Sequence, residues 1–238
     1  MTTNSDDSLM RKIRAIGIAA LPTGLRRKLR RRWHVHRAKT GRLHSDEPEF
    51  HRLKDWLAPG DVAIDVGANI GSFTLRMSEL VGPHGQVFAF EPIPETFATL
   101  ARNIEVRGAT NVTLINAACG QTTGFVSMDV PKDGAGGENL YMARISDDAS
   151  DFRVLCLNVD SLHLPGRIRL VKVDAEGFDA EVIHGMRELL AKSRPRIVVE
   201  SRTPALETML ASLGYRLTVE PGSPNAVFEP AGSPAVSP

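Results

Sequence analysis

From about residue 46 the chain alternates short apolar runs with longer stretches of helical spacing. Ser45 or Asp46 is placed to cap a helix reaching Leu57, with Phe50, Leu53 and Trp56 on one side. Pro59-Gly60-Asp61 then turns the chain into a short apolar strand over 62–66. Helical spacing follows over 70–80 and stops at Gly82-Pro83. A second strand is predicted over 86–90, and a helix over 95–106 turns Phe97, Leu100, Ala101 and Ile104 inward. A third strand covers 112–115. The middle is less regular, with strand-like runs at 124–128 and 153–158 flanking a polar, Gly-rich stretch at 131–151. Alternation resumes with a strand at 170–173, one helix at 180–191, a strand at 196–200 and a helix at 205–213. Weaker strands follow at 215–219 and 226–228. Strands separated by helices imply a mainly parallel, twisted sheet covered by helices on both faces, a Rossmann-like α/β fold. Such sheets bind ligands beyond the carboxyl ends of their strands, so the residues just after the strands carry the chemistry.

Charge divides the chain. Residues 1–43 hold 12 Lys/Arg against 2 Asp/Glu, a net of +10, and the rest holds 17 against 26, a net of −9, within a total of +1 over 238 residues. A basic arm (1–45) thus precedes one α/β domain (46–229), and a Pro/Gly/Ser-rich tail (230–238) reads as disordered. In the arm Leu25, Leu29 and Trp33 recur every fourth residue among Arg26, Arg27, Lys28, Arg30, Arg31 and Arg32, with Ile13, Ile16 and Ala20 extending the apolar edge upstream. Three readings fit this pattern. Residues 10–37 are an interfacial membrane helix, a helix packed on the body with solvated arginines, or a nucleic-acid contact. Cys119 and Cys156 are too few for a disulfide framework and have no metal-ligand spacing. No run approaches the ~20 apolar residues of a membrane span, and 13–21, interrupted by Arg14, makes a poor leader. The expected location is cytoplasmic, peripheral to a membrane if the arm binds one.

The first strand ends in Asp65-Val66-Gly67-Ala68-Asn69-Ile70-Gly71, and the second ends in Glu91. Glycines here permit a sharp turn and close approach to a ligand, and an acid ending the next strand suits the two hydroxyls of a ribose. A dinucleotide fingerprint needs glycine where Asn69 stands, and no phosphate-binding G-x-x-x-x-G-K-[ST] loop is present. Asp65 repels phosphate and suits the ammonium of a methionine moiety. The residues therefore favour S-adenosylmethionine (SAM) over NAD or ATP.

Together with Phe90-Glu91-Pro92, Asn116-Ala117-Ala118, Lys172-Val173-Asp174-Ala175-Glu176-Gly177 and the Pro195–Glu200 region, this turn resembles the FkbM-type methyltransferases over residues 50–202. The resemblance does not reach 1–45 or 131–151. It implies a class I methyltransferase fold and transfer of methyl from SAM to a hydroxyl oxygen of a carbohydrate, glycolipid or other specialised metabolite. It also implies that Asp65, Gly67, Asn69 and Gly71 line the methionine end, that Glu91 binds ribose and that Asn116 and Ala117 flank adenine. Two alternatives stand beside it: an RNA methyltransferase recruited by the basic arm, and a non-catalytic SAM-binding module.

Asp174, Glu176 and Glu200 end neighbouring strands and are expected to converge where the methyl is transferred. They serve either as acid/base and orienting groups or as ligands of a divalent cation such as Mg. A third reading has Glu176 capping the following helix. His163 is a weaker base candidate, and His184 reads as a surface or packing residue. Long connections such as 131–151 commonly act as lids or recognition loops, so this one, with Lys132, Asp133, Glu138, Asn139, Tyr141 and Arg144, is expected to contribute to the acceptor site.

Overall fold

The computed structural model describes residues 21–131, 143–146, 152–218, 222–223 and 225–232. The upstream apolar edge of the arm, most of the 131–151 loop and residues 233–238 of the tail lie outside them. The elements in chain order are α1 (Thr23–Lys39), α2 (Pro48–Trp56), β1 (Val62–Val66), α3 (Ser72–Val81), β2 (Gln86–Phe90), α4 (Pro94–Arg107), β3 (Val112–Ile115), β4 (Ala118–Cys119), β5 (Gly124–Asp129), β6 (Arg144–Ser146), β7 (Arg153–Leu157), β8 (Ile168–Val173), α5 (Asp179–His184), α6 (Arg187–Ser193), β9 (Arg196–Val199), α7 (Pro204–Ser212), β10 (Tyr215–Thr218) and β11 (Ala226–Pro230).

The main sheet has the order β10-β11-β9-β8-β1-β2-β3. β3, β2, β1, β8 and β9 pair in parallel, and β11 runs antiparallel to both β9 and β10. The chain works outward from β1 to β3, then returns to the other side of β1 with β8. The carboxyl ends of β1 and β8 therefore flank the point where strand order reverses, the usual place for a ligand. Both faces are covered, so the parallel strands read as nearly unbroken apolar runs. Ile64, Phe88, Val171 and Ile197 pack with Val182, Leu190 and Leu210 on one side. Ala63, Val87, Leu170 and Val198 pack with Leu53, Trp56, Phe73 and Met77 on the other.

Three features differ from the sequence reading. The helix expected to be capped by Ser45 or Asp46 has Glu47 at its N-cap and no side-chain cap, because Pro48 supplies its first residue. The irregular middle is a second, four-stranded sheet of order β4-β7-β5-β6. Its added strands, β4 and β6, have two and three residues, too few for an alternation to show. The single helix expected over 180–191 is two, α5 and α6, broken at Gly185-Met186. A Cβ on Gly185 would lie 2.0 Å from the Gly120 carbonyl oxygen, so the helix end is pressed against the loop after β4. The Asp160 carboxylate then accepts from the Glu188 and Leu189 amides, each at 2.9 Å, and caps α6 as a new start.

α1 packs along α4. Arg27 pairs with Glu95 at 3.0 Å, Arg31 donates to the Ala98 carbonyl at 3.2 Å, and Ala38 is fully buried among Leu100, Ile104 and Leu43. No helix among the described residues is long and apolar enough to cross a membrane.

Candidate active site

Backbone pairing past the strand ends brings the site residues together. The Gly67 and Ala68 amides both donate to the Phe90 carbonyl, the Asp174 amide donates to Val66 and the Glu200 amide donates to Val173. The turn after β1 is thereby wedged between β2 and β8. At Gly67, φ is +72° and a Cβ would stand 1.8 Å from the Asp174 carbonyl oxygen, so only glycine fits. Asn69 also has positive φ, +51°, a conformation its short polar side chain tolerates. Gly71 (φ +92°) starts α3, with Leu100 Cδ1 2.6 Å from where its Cβ would be. It shapes the helix entry and does not line the cleft.

The principal cleft lies between this turn and the small sheet. Gly67, Asn69, Glu91, Ala117, Asp174 and Glu176 line it, all singled out in the sequence. Ile93, Thr96, Cys119, Met128, Ala143 and Ile145 complete the wall. Those mostly apolar residues carry no motif, and two of them, Cys119 and Ile145, sit on strands too short to predict. Glu91 is buried at the cleft. Its Oε2 accepts from the Asn69 amide and its Oε1 from the Ile93 amide, each at 2.9 Å. Burial nevertheless pushes its carboxyl up to about 7, against those two donors. Asn69 Oδ1 is buried without a hydrogen-bond partner among the described residues. A glycine turn that admits a close ligand, a carboxylate at its floor, an orphaned amide oxygen and apolar walls on either side fit an adenosine-bearing donor.

Other predicted residues stand elsewhere. Asn116 is exposed outside the lining, and its amide nitrogen donates to the Glu91 and Pro92 carbonyls at 2.8 and 3.1 Å. It braces the loop that carries Glu91. Asp65 is fully buried behind the turn, accepting from Thr74 Oγ1 at 2.5 Å and lying in register with Lys172. Burial raises its pKa against the Lys172 charge. It faces a second hollow across the turn, shared with His34, His44, Glu47, Lys172 and Asp174. Of these, Glu47, His34 and His44 precede β1 and were not anticipated. His34 is held near pKa 4 by burial and then by Arg30 and Arg37. His163 and His184 are exposed and line neither hollow.

Asp174, Glu176 and Glu200 do converge, with one carboxylate oxygen of each within 4.8 Å of the others. Lys172, only 5% exposed, pairs with Asp174 at 3.0 Å and lies 4.7 Å from the centre of the Phe73 ring. Burial alone would lower its pKa, but Asp174 and Asp65 override this and keep it a cation. Glu200 is pushed up to about 7, first by burial, then by the Asp174 charge and a hydrogen bond to Asp174. Glu176 is raised by burial and by Asp174. Glu176 and Gly177 are successive residues of positive φ, +49° and +91°. A left-handed glutamate costs of order 1 kcal/mol, and such strain gathers at functional sites.

Residues 65–217 match the family model described as "Methyltransferase FkbM domain". Methyltransferase 1 of Beauveria bassiana is 26% identical over 182 residues, covering 66% of this chain and 73% of the relative. Hexuronic acid methyltransferase AglP of Haloferax volcanii is 31% identical over 151 residues, covering 62% and 59% respectively. A crystal structure of methyltransferase FkbM from Methylobacillus flagellatus KT superposes with a TM-score of 0.52 at 15% identity, over 77% of this chain and 50% of that one. The chain thus spans half the length of that solved protein and 59% of AglP. The superposition agrees with the class I methyltransferase fold built above.

Proposed function

The chain belongs to the FkbM family of SAM-dependent methyltransferases, and from that premise we propose that it methylates a hydroxyl oxygen of a carbohydrate, glycolipid or other specialised metabolite. The observation that carries this is the carboxylate trio beside the donor turn: Asp174 touches Gly67 through its backbone and meets Glu176 and Glu200 through its side chain. A hydroxyl must lose its proton as it is methylated, and a carboxylate within reach takes it. The name of AglP, a hexuronic acid methyltransferase, points to the same acceptor class.

Bound in the cleft, the donor supplies an electrophilic methyl group on a sulfonium. The chain's own residues do the rest. Glu91 holds the ribose hydroxyls, and Ala117 and Ile93 flank the adenine while Asn116 braces their loop. Gly67 and Asn69 shape the methionine end, Gly71 sets the helix entry beside it, and Asp65 lies behind the turn, accepting from Thr74 in the field of the Lys172 cation. The small sheet supplies an apolar wall through Met128 and Ile145. Asp174, oriented by Lys172, accepts the acceptor's proton, and Glu200 shares a proton with it. Positioning of acceptor and methyl in line supplies much of the acceleration.

Asp174→Asn is the direct test, with uronic acids and hexose glycosides as acceptors and the methylated product read by mass spectrometry. Turnover should fall by about 100-fold or more while donor affinity changes by less than about three-fold, because an amide keeps the shape but accepts no proton. Equal turnover would remove Asp174 from the chemistry. A second reading rests on the spacing of the trio, which also suits one divalent cation such as Mg. It requires EDTA to abolish turnover and added Mg to restore it; activity unchanged in EDTA assigns the trio to proton transfer.

A further inference from the structure

We propose that the outward face of α1 is a docking surface for an anionic phospholipid bilayer. The inference stands apart from the acceptor chemistry above and is tested without turnover. α1 carries eight Lys/Arg and no Asp/Glu in 17 residues. Its inward face is the one bearing Arg27, Arg31 and buried Ala38. At 100° per residue, Ala38 lies about 180° around the helix from Leu29. The face turned away from the body therefore presents Leu25, Leu29 and Trp33, which are 45%, 40% and 52% exposed.

An amphipathic helix that packs on a body ordinarily buries its apolar edge. Here the fold does the reverse. Around the helix the apolar row is bordered by Lys28, Arg32 and Lys39 on one side and by Arg26, Arg30 and Arg37 on the other. The Arg37 guanidinium lies 4.7 Å from the centre of the Trp33 ring, which sets a cation beside an indole. Arg31, Arg32, His36, Lys39 and Arg102 also line one shallow hollow between α1 and α4, so positive charge is concentrated along the same edge. Three apolar side chains in a row, flanked by cations, match the boundary between acyl chains and phosphate headgroups. A nucleic acid would satisfy the cations but offers the apolar row nothing. The helix also starts beside the donor cleft, because Arg27 pairs with Glu95 and the next residue of α4, Thr96, is part of the cleft wall.

The test floats the full chain with vesicles of phosphatidylcholine and phosphatidylglycerol in a two-to-one ratio, and with phosphatidylcholine alone. Trp33 and Trp56 are the two tryptophans, and Trp56 is buried, so a vesicle-induced blue shift reports Trp33. Flotation should need the anionic lipid, weaken with salt and accompany the blue shift. Leu25→Ser, Leu29→Ser and Trp33→Ser combined keep every cation; vesicle binding should drop by about ten-fold or more, with donor affinity and thermal melting unchanged. Equal flotation of this variant, or failure of the parent chain to float, overturns the proposal. So does a chain that ignores vesicles but binds duplex RNA as well with the three serines as without them.

Discussion

The donor half and the acceptor half of the proposed site solve different physical problems. The donor half is built by backbone. Two successive strand–turn units, β1 and β2, interlock through the Phe90 carbonyl and the Glu91 carboxylate, and Glu91 receives two amide donors. The acceptor half is built by charge. Asp174, Glu176 and Glu200 crowd together, with Lys172 as the buried cation against them. Burial first, and then the neighbouring Asp174 charge, disfavour their ionised forms, so Glu200 keeps its proton to about 7 and Glu176 is raised as well. A donor site held by backbone pairing pre-organises its ligand. A crowded acceptor site instead holds a proton ready to move.

Gly67→Ala breaks the junction of the two halves and should have the largest effect. The added methyl would have to displace the Asp174 backbone oxygen and also sit at positive φ. Overpacking and backbone strain together cost about 3 kcal/mol or more, a fall in Tm of roughly 10 °C for a chain of this size. Thermal melting checks the stability loss, and calorimetry with SAM should find donor binding gone. A variant that melts and binds like the parent would show that the turn does not touch β8 in solution.

Glu91→Ala attacks the donor half alone. Hydrogen bonds to a charged acceptor contribute about 1.5–3 kcal/mol each, so losing the ribose contacts should weaken SAM by about 100-fold or more. The Asn69 and Ile93 amides also lose their acceptor. The vesicle interaction of α1 should not change. Titration of SAM into the variant is the measurement, and unchanged affinity would move the ribose elsewhere.

The same contrast governs what could be read in advance. β1, β2 and β3 were legible almost to the residue because each is a short apolar run closed by turn residues. The residues proposed to bind the donor follow those strands at fixed spacing, so local pattern alone puts Gly67, Asn69 and Glu91 at the cleft. The convergence of Asp174, Glu176 and Glu200 followed from strand parity and the rule that sites lie at carboxyl ends. Cys119 and Ile145 reach the cleft on β4 and β6, strands too short to leave a period. Lys172 stood in view beside Asp174, but its role depends on Asp65, more than a hundred residues earlier and adjacent only through the β1–β8 register. The arm's apolar row was plain in the sequence; which way it faced was not, because that depends on the packing of Arg27, Arg31 and Ala38 against α4.

The finest test of the acceptor half is the pH profile of Glu200→Gln. Glu200 has its pKa raised in the folded protein, so it is neutral well below about 7 and ionised above it. If Glu200 must lose its proton before Asp174 accepts one from a hydroxyl, turnover rises with pH and levels off above about 7. Glutamine keeps a hydrogen-bond donor toward Asp174 but cannot ionise. The variant should therefore lose the limb centred near 7 and run at a rate only about ten-fold below the parent's plateau, since Asp174 and Lys172 remain. Donor affinity measured at the same pH values should be unaffected, because Glu91, with its own pKa near 7, stays in place in both proteins. Any pH dependence of binding shared by parent and variant then reports Glu91, and any dependence of turnover lost only in the variant reports Glu200. A limb that survives the substitution unchanged would take Glu200 out of the proton path and leave Asp174 to act alone.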